Sequence, residues 1–201
     1  MTLKKILVKL MIPALLALSV ITAYADNFPV SVCERYGDKN LMYWKIRQIT
    51  ISPVFDEPET TDVQFYFEKP HDLFIDTRAQ QVYARADTIW TYLVKHNQIQ
   101  KRCSGYILNP FDFIDSAQTF YIIVSTQKNK ITMKSIDELM EPDSLEIRHE
   151  KDGGITRIEY LDVNNNLVIF EILDESFKKH IPENNFLAKP PEGVEIIDID
   201  E

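Results

Sequence analysis

The sequence predicts a mainly β fold with a small α component, many consecutive antiparallel strands wound into a strongly curved sheet or open barrel. Three observations lead there. Short runs rich in aromatic and β-branched residues follow one another, some strictly alternating apolar with polar, and turn residues separate them. Aromatic residues are plentiful, with 2 Trp, 9 Tyr and 11 Phe. Only 5 residues are Gly, and no Gly/Ser-rich stretch or internal repeat interrupts the chain, so nothing marks a flexible linker. Consecutive strands with one aromatic face and few helices must bury that face by curling or closing the sheet.

The elements follow in order. Residues 26–40 leave room for little ahead of the first strand, and Val32 to Tyr36 offers one or two helical turns. Leu41 to Ile51 is a strand that Ser52-Pro53 ends. Val63, Phe65 and Phe67 alternate with Gln64, Tyr66 and Glu68, the mark of a sheet whose two faces differ. Leu73 and Ile75 alternate with Asp72 and Asp76, and strands over 81–86, 88–94 and 98–102 continue a meander, with His96-Asn97 as a turn. Residues 106–117 break the pattern. Asn109-Pro110 puts Pro near a first helical position, and Phe111 and Ile114 share one side of a short helix. Strands resume over 119–125, 130–134 and 144–149, while 135–140 fits a short helix or a loop equally well. Asp152-Gly153-Gly154 and Asn164-Asn165-Asn166 are turns that lead into strands over 155–162 and 167–173. Near the end, Pro190-Pro191 has no N–H to give a sheet, Gly193 permits a tight turn, and Val194, Ile196 and Ile197 form an edge or closing strand.

The first residues read as a secretory leader. Lys4, Lys5 and Lys9 form its positive region, Leu10 to Ala23 is uncharged and apolar, and Ala23-Tyr24-Ala25 is a small-x-small cleavage site. The apolar run is shorter than the roughly 18 residues a spanning helix needs. Cleavage after Ala25 leaves residues 26–201 as a single domain, and no Cys follows the site to carry a lipid. Loss of the three leader lysines takes the formal net charge from −9 to −12. So acidic a surface argues against nucleic acid and anionic membrane surfaces as partners. The two cysteines, Cys33 and Cys103, lie in a chain that leaves the cytosol, where an oxidised pair is the natural reading and two separate thiols the alternative. A bridge closing that loop would contribute about 4 kcal/mol in the chain-entropy model.

Signals of catalysis are weak. His71, His96, His149 and His180 are scattered without metal-ligand spacing, and they read as surface or turn residues with no metal or cofactor implied. Asp112 and Asp115 could share a helix face as a carboxylate pair, but a solvated face opposite Phe111 and Ile114 accounts for them. No nucleophile elbow, phosphate loop or dinucleotide fingerprint is present. The sequence favours a binding protein over an enzyme.

Three phrases in a fixed order carry a resemblance. Val63-Gln64-Phe65-Tyr66-Phe67-Glu68-Lys69-Pro70-His71-Asp72-Leu73-Phe74-Ile75 is a strand ending in a basic residue and Pro, then an aromatic strand. Asp87-Thr88-Ile89-Trp90-Thr91-Tyr92 supplies a Trp-x-Tyr strand, and a hairpin leads to Phe186-Leu187-Ala188-Lys189-Pro190-Pro191-Glu192-Gly193-Val194. Together, over roughly residues 41–198, these resemble the LolA family of periplasmic lipoprotein carriers. Two departures stand out, the short segment before the first strand and Phe74 where a basic residue often follows.

The resemblance implies an incomplete antiparallel β-barrel with short helices as a lid and an apolar cavity for acyl chains. It implies a non-enzymatic periplasmic shuttle, which takes acylated lipoproteins from an inner-membrane releasing transporter to an outer-membrane receptor, as a monomer. Carriage of another lipid or glycolipid, or lipid sensing by the same fold, are the alternatives. The cavity residues on this reading are Phe65, Phe67, Leu73, Ile75, Trp90, Tyr92, Phe111, Ile114, Ile122, Ile158 and Phe170, with the helix around Phe111 and Ile114 as the lid. Lys69 is a rim residue meeting cargo or partner, or simply the cap of a strand end. An inverted strand parity would exchange inward for outward residues.

Overall fold

The computed structural model describes residues 29–69, 72–103, 121–136 and 142–200. The leader, the Phe111/Ile114 helix, the Asp112/Asp115 pair and His71 lie outside these residues.

A short helix α1 (Val30–Tyr36) precedes one open, curved sheet of twelve strands. The strands are β1 (Leu41–Ile51), β2 (Glu59–Glu68), β3 (Asp72–Thr77), β4 (Gln80–Arg85), β5 (Thr88–Leu93) and β6 (Gln98–Cys103), then β7 (Tyr121–Gln127), β8 (Lys130–Ser135), β9 (Ser144–His149), β10 (Ile155–Leu161), β11 (Leu167–Ser176) and β12 (Glu195–Asp198). Their spatial order is β12-β6-β5-β4-β3-β2-β1-β11-β10-β9-β8-β7. The chain thus builds two antiparallel meanders, β1–β6 and β7–β11, and joins them along β1 and β11.

Local chemistry explains the turns. A single 3-10 turn (Val94–His96) ends at Asn97, which takes the left-handed conformation (φ 49°) that Asn tolerates well. Asn165 does the same at φ 60° between β10 and β11. Gly153, at φ 86°, turns β9 into β10, and a Cβ there would lie 2.1 Å from the Ser31 carbonyl oxygen. Glycine is therefore required twice over, for the turn and for the close approach of α1. The tail strand β12 pairs with β6 and runs parallel to it, from Glu195↔Gln98 to Asp198↔Lys101.

The two faces of the sheet hold separate cores. On the face that carries α1, called the inner face, one apolar cluster takes residues from nine strands, with Val32 and Tyr36 of α1 and fully buried Trp44, Met42, Ile131, Met133 and Ile147 among them. On the outer face, directly paired aromatics cross five strands: Tyr43, Tyr66, Phe74, Tyr83 and Trp90. Adjacent ring centroids along this line are 4.9–6.3 Å apart. The chain beyond β11 crosses this face and seals its far end. Phe186, only 2% exposed, stacks on Tyr92 at 5.8 Å, and the Ile181 N–H donates to Glu68.

No disulfide joins Cys33 and Cys103. Cys33 rides on α1 against the inner-face cluster, while Cys103 is exposed at the end of β6, five strands from β1 in the sheet. Helix α1 is tied to the β1–β11 seam, so the two sulfurs belong to different regions of the sheet.

Candidate functional site

The inner face is the candidate site. Alternation along β2 places Val63, Phe65 and Phe67 there at 6%, 5% and 3% exposure, and their register partners Leu73 and Ile75 of β3 join them. From the other meander come Ile158 and Phe170, which face each other across β10 and β11. Six of the residues expected to line a cavity are thus brought together: Phe65, Phe67, Leu73, Ile75, Ile158 and Phe170.

Three are placed elsewhere. Trp90 and Tyr92 point to the outer face, where they pack with Tyr83 and with Phe186 of the tail. Ile89, paired with Ala84, takes the inward direction on β5. Ile122 is 47% exposed and pairs with exposed Lys134, while Tyr121 and Ile123 face inward. In both strands apolar residues occupy both parities, so hydrophobicity alone did not select the face.

A polar node pins α1 over this surface. Glu175 Oε2 accepts from the Tyr36 hydroxyl at 2.6 Å and from Trp44 Nε1 at 2.9 Å, and Oε1 accepts from Arg35 Nε at 2.8 Å and Nη2 at 2.6 Å. Arg35 Nη1 reaches Asp152 at 2.8 Å, and the Ile155 N–H donates to the Tyr36 oxygen at 2.9 Å. Burial, reinforced by the bond to Glu175, raises the Tyr36 pKa well above the ordinary phenol value. Glu175 reaches this face through a bulge. The β1–β11 register shifts between Lys45 and Ile46, so that Ile172 and Glu175, three apart, share one side of the sheet. The sequence reading missed this node, because a carboxylate on an apolar strand looks outward until the bulge is known.

Lys69 sits at the end of β2, half-buried, with its Nζ donating to the Gly37 carbonyl at 3.0 Å. It meets the C-terminal end of α1, where a cation is favoured by the helix dipole. Among the described residues no group of three or more His, Cys, Asp or Glu is arranged to hold a metal ion. Nor is any described helix long and apolar enough to cross a membrane. His149 is buried at the end of β9, its Nδ1 2.9 Å from the Glu150 carbonyl. The outer face also bears a groove of about 940 Å³, but Lys45, Asp62, Gln64, Asp76 and Arg78 make it polar and unsuited to acyl chains.

No family model and no curated protein matches the chain. Solved structures do. An uncharacterised conserved protein from Thermus thermophilus aligns over 84% of this chain and 94% of its own, with a TM-score of 0.50 at 10% identity. The two share a fold. A LolA superfamily protein from Nitrosomonas europaea aligns over 77% of this chain and 93% of its own (TM-score 0.44, 10% identity). An outer membrane lipoprotein-sorting protein domain from Vibrio parahaemolyticus, so described as putative, aligns over 78% and 94% (TM-score 0.43, 12% identity). Of the architecture implied by the sequence resemblance, the incomplete, strongly curved and mainly antiparallel sheet is found, and the expected lid helix lies outside the described residues.

Proposed function

We propose that this protein is a LolA-like periplasmic carrier that holds acyl chains on its inner face and shuttles lipoproteins from the inner to the outer membrane. The leader is removed after Ala25, residues 26–201 act as one domain, and a releasing transporter and an outer-membrane receptor are its partners. The observation that supports this reading is the inner face itself, one apolar cluster drawn from both meanders and topped by α1. Buried acyl chain gains about 0.8 kcal/mol per CH₂, so one long chain supplies on the order of 10 kcal/mol. A carrier must also surrender its cargo, which requires a cover that fills the space when empty and yields when loaded. With Glu175 pinning α1, that helix is a fixed wall, and the yielding part lies in another segment.

The test is native mass spectrometry of the mature protein purified from the periplasm, with lipid extraction of what accompanies it. A bound triacylated lipoprotein is the expected result. Phospholipid or glycolipid instead, with no capture of an added lipoprotein, would assign the fold to a different cargo.

A further inference from the structure

The β1–β2 and β10–β11 hairpins end side by side. Ile51 of β1 pairs with Leu167 of β11, and Leu167 pairs with Leu161 of β10, so the three form one row across adjacent strands. Beyond that row the chain turns through residues 52–58 on one side and 162–166 on the other. Both turns carry large apolar side chains into solvent. Val54 is 79% exposed, Phe55 72% and Val163 63%, and Ile51 and Leu161 beside them are exposed as well. Neither turn needs these side chains. Ser52, whose hydroxyl accepts from the Val54 N–H at 3.2 Å, and Pro53 bend the first, while Asp162 and the left-handed Asn165 bend the second. The first connection is also longer than the roughly two to five residues of an ordinary hairpin loop, and Pro53 and Pro58 stiffen it. A group of exposed apolar side chains on a stiffened tip marks a contact surface.

The charge around this tip has one sign. Asp56, Glu57, Glu59 and Asp162 lie on or beside the two turns, and neither 48–68 nor 158–177 contains a Lys or Arg. The nearest cations by register are already matched: Arg47 lies between Asp62 and Glu171, and Lys45 and Arg78 share the outer-face groove with Asp62 and Asp76. None of the four carboxylates forms an ion pair among the described residues. Asp162 is held by the N–H groups of Asn164 and Asn166, which fix its place and leave its charge. A lipid surface suits such a tip poorly, because burying Val54 and Phe55 would press Asp56 and Glu57 among headgroups that are often anionic themselves. An apolar cleft with Lys or Arg at its rim matches both properties.

We infer that this end of the sheet docks on a partner protein, with Val54 and Phe55 filling an apolar cleft and the four carboxylates meeting a basic rim. The inference goes beyond the carrier reading and does not depend on what the inner face holds. So small a contact makes a transient complex, in which the rim charges set the rate of encounter and its sensitivity to salt.

The test places the photoreactive amino acid benzoylphenylalanine at Phe55 of the full chain, produced and irradiated in its own cells, with the same replacement at Ile196 as the control. Ile196 is also exposed, and it lies on the edge strand β12. The expected result is one protein adduct from position 55 and none of that mass from position 196. Mass spectrometry should map the adduct to an apolar segment of the partner with Lys or Arg beside it. The triple variant Asp56→Asn/Glu57→Gln/Glu59→Gln should lower its yield on the order of tenfold. Circular dichroism checks the fold, which these exposed side chains do not support. A phospholipid adduct alone would make the tip a membrane contact, and an adduct with a second copy of the chain would make it a self-association surface; either overturns the inference. So does an adduct whose yield the triple variant leaves unchanged, one mapped to a segment without basic residues, or no adduct at all. Each of these outcomes leaves the carrier reading standing, since that rests on the inner face.

Discussion

The two faces of this sheet are built from the same kinds of residue and finished in opposite ways. The outer face lays Tyr43, Tyr66, Phe74, Tyr83 and Trp90 side by side, and the chain's own tail seals them through Ile181, Phe186, Leu187 and Val194. The inner face gathers the larger cluster, yet α1 is its only described cover apart from Phe177. Aromatic content therefore says little about where a ligand goes. The outer face is sealed by its own tail, while the inner face is the one the proposed carrier role calls on.

Substitutions on each side separate the two faces. Trp44→Ala should have the largest effect, about 3–5 kcal/mol, because it empties a fully buried site and strips Glu175 of a donor. Phe186→Ala should fall near the low end of that range, about 3 kcal/mol, since a tail segment resettles more readily than a central strand. Urea unfolding measures both. Because the two lie on opposite faces, the double variant should be additive within about 0.5 kcal/mol. A larger coupling would mean that the faces are not independent cores.

Gly153→Ala should cost about 2 kcal/mol, through a positive φ and the collision with Ser31. The loss should appear first as faster hydrogen exchange in α1, while the outer face stays protected. Tyr36→Phe should cost least at neutral pH, about 1–2 kcal/mol for the hydroxyl's buried bonds. Its sharper signature is in pH. The folded-state pKa of Tyr36 lies above its unfolded value of about 10, so its contribution is complete below that pH and is lost as pH rises through the folded value. The wild type should therefore lose stability on the alkaline side, and Tyr36→Phe should show a flatter alkaline limb. An unchanged limb would remove Tyr36 as its cause.

Most strands were legible because their signals are local. Leu41–Ile51 and Ser144–His149 begin and end where the sequence reading puts them, and Gly153 and Asn165 mark their turns by backbone chemistry alone. Facing was legible on β2, where Val63, Phe65 and Phe67 alternate with polar neighbours. It was not legible on β5 or β7, where Ile89 competes with Trp90 and Tyr121 with Ile122, and only the tertiary neighbours decide. The Glu175 node depended on a bulge that no residue pattern announces. The parallel pairing of β12 with β6 was equally hidden, since Pro190-Pro191 and Gly193 show that the chain turns but not which strand it meets. The cysteine pairing was expected from the oxidising compartment that a leader implies, and separation across the sheet could not be read from the sequence.

The seam between the two meanders also sets an order of events. Within each meander every strand pairs with its neighbour in sequence, so β1–β6 and β7–β11 can each form from short-range contacts. The β1–β11 ladder is different, joining Trp44 to Glu175 across most of the chain. Closing so long a loop costs entropy before any contact repays it, which makes this ladder a late and slow step in folding. Until it closes, both β1 and β11 present bare edges, and each half is a candidate for pairing with another chain. The charges that pin α1 complete only when Glu175 arrives at that seam. The chain is thus most exposed to aggregation in the interval between the formation of β1 and the arrival of β11.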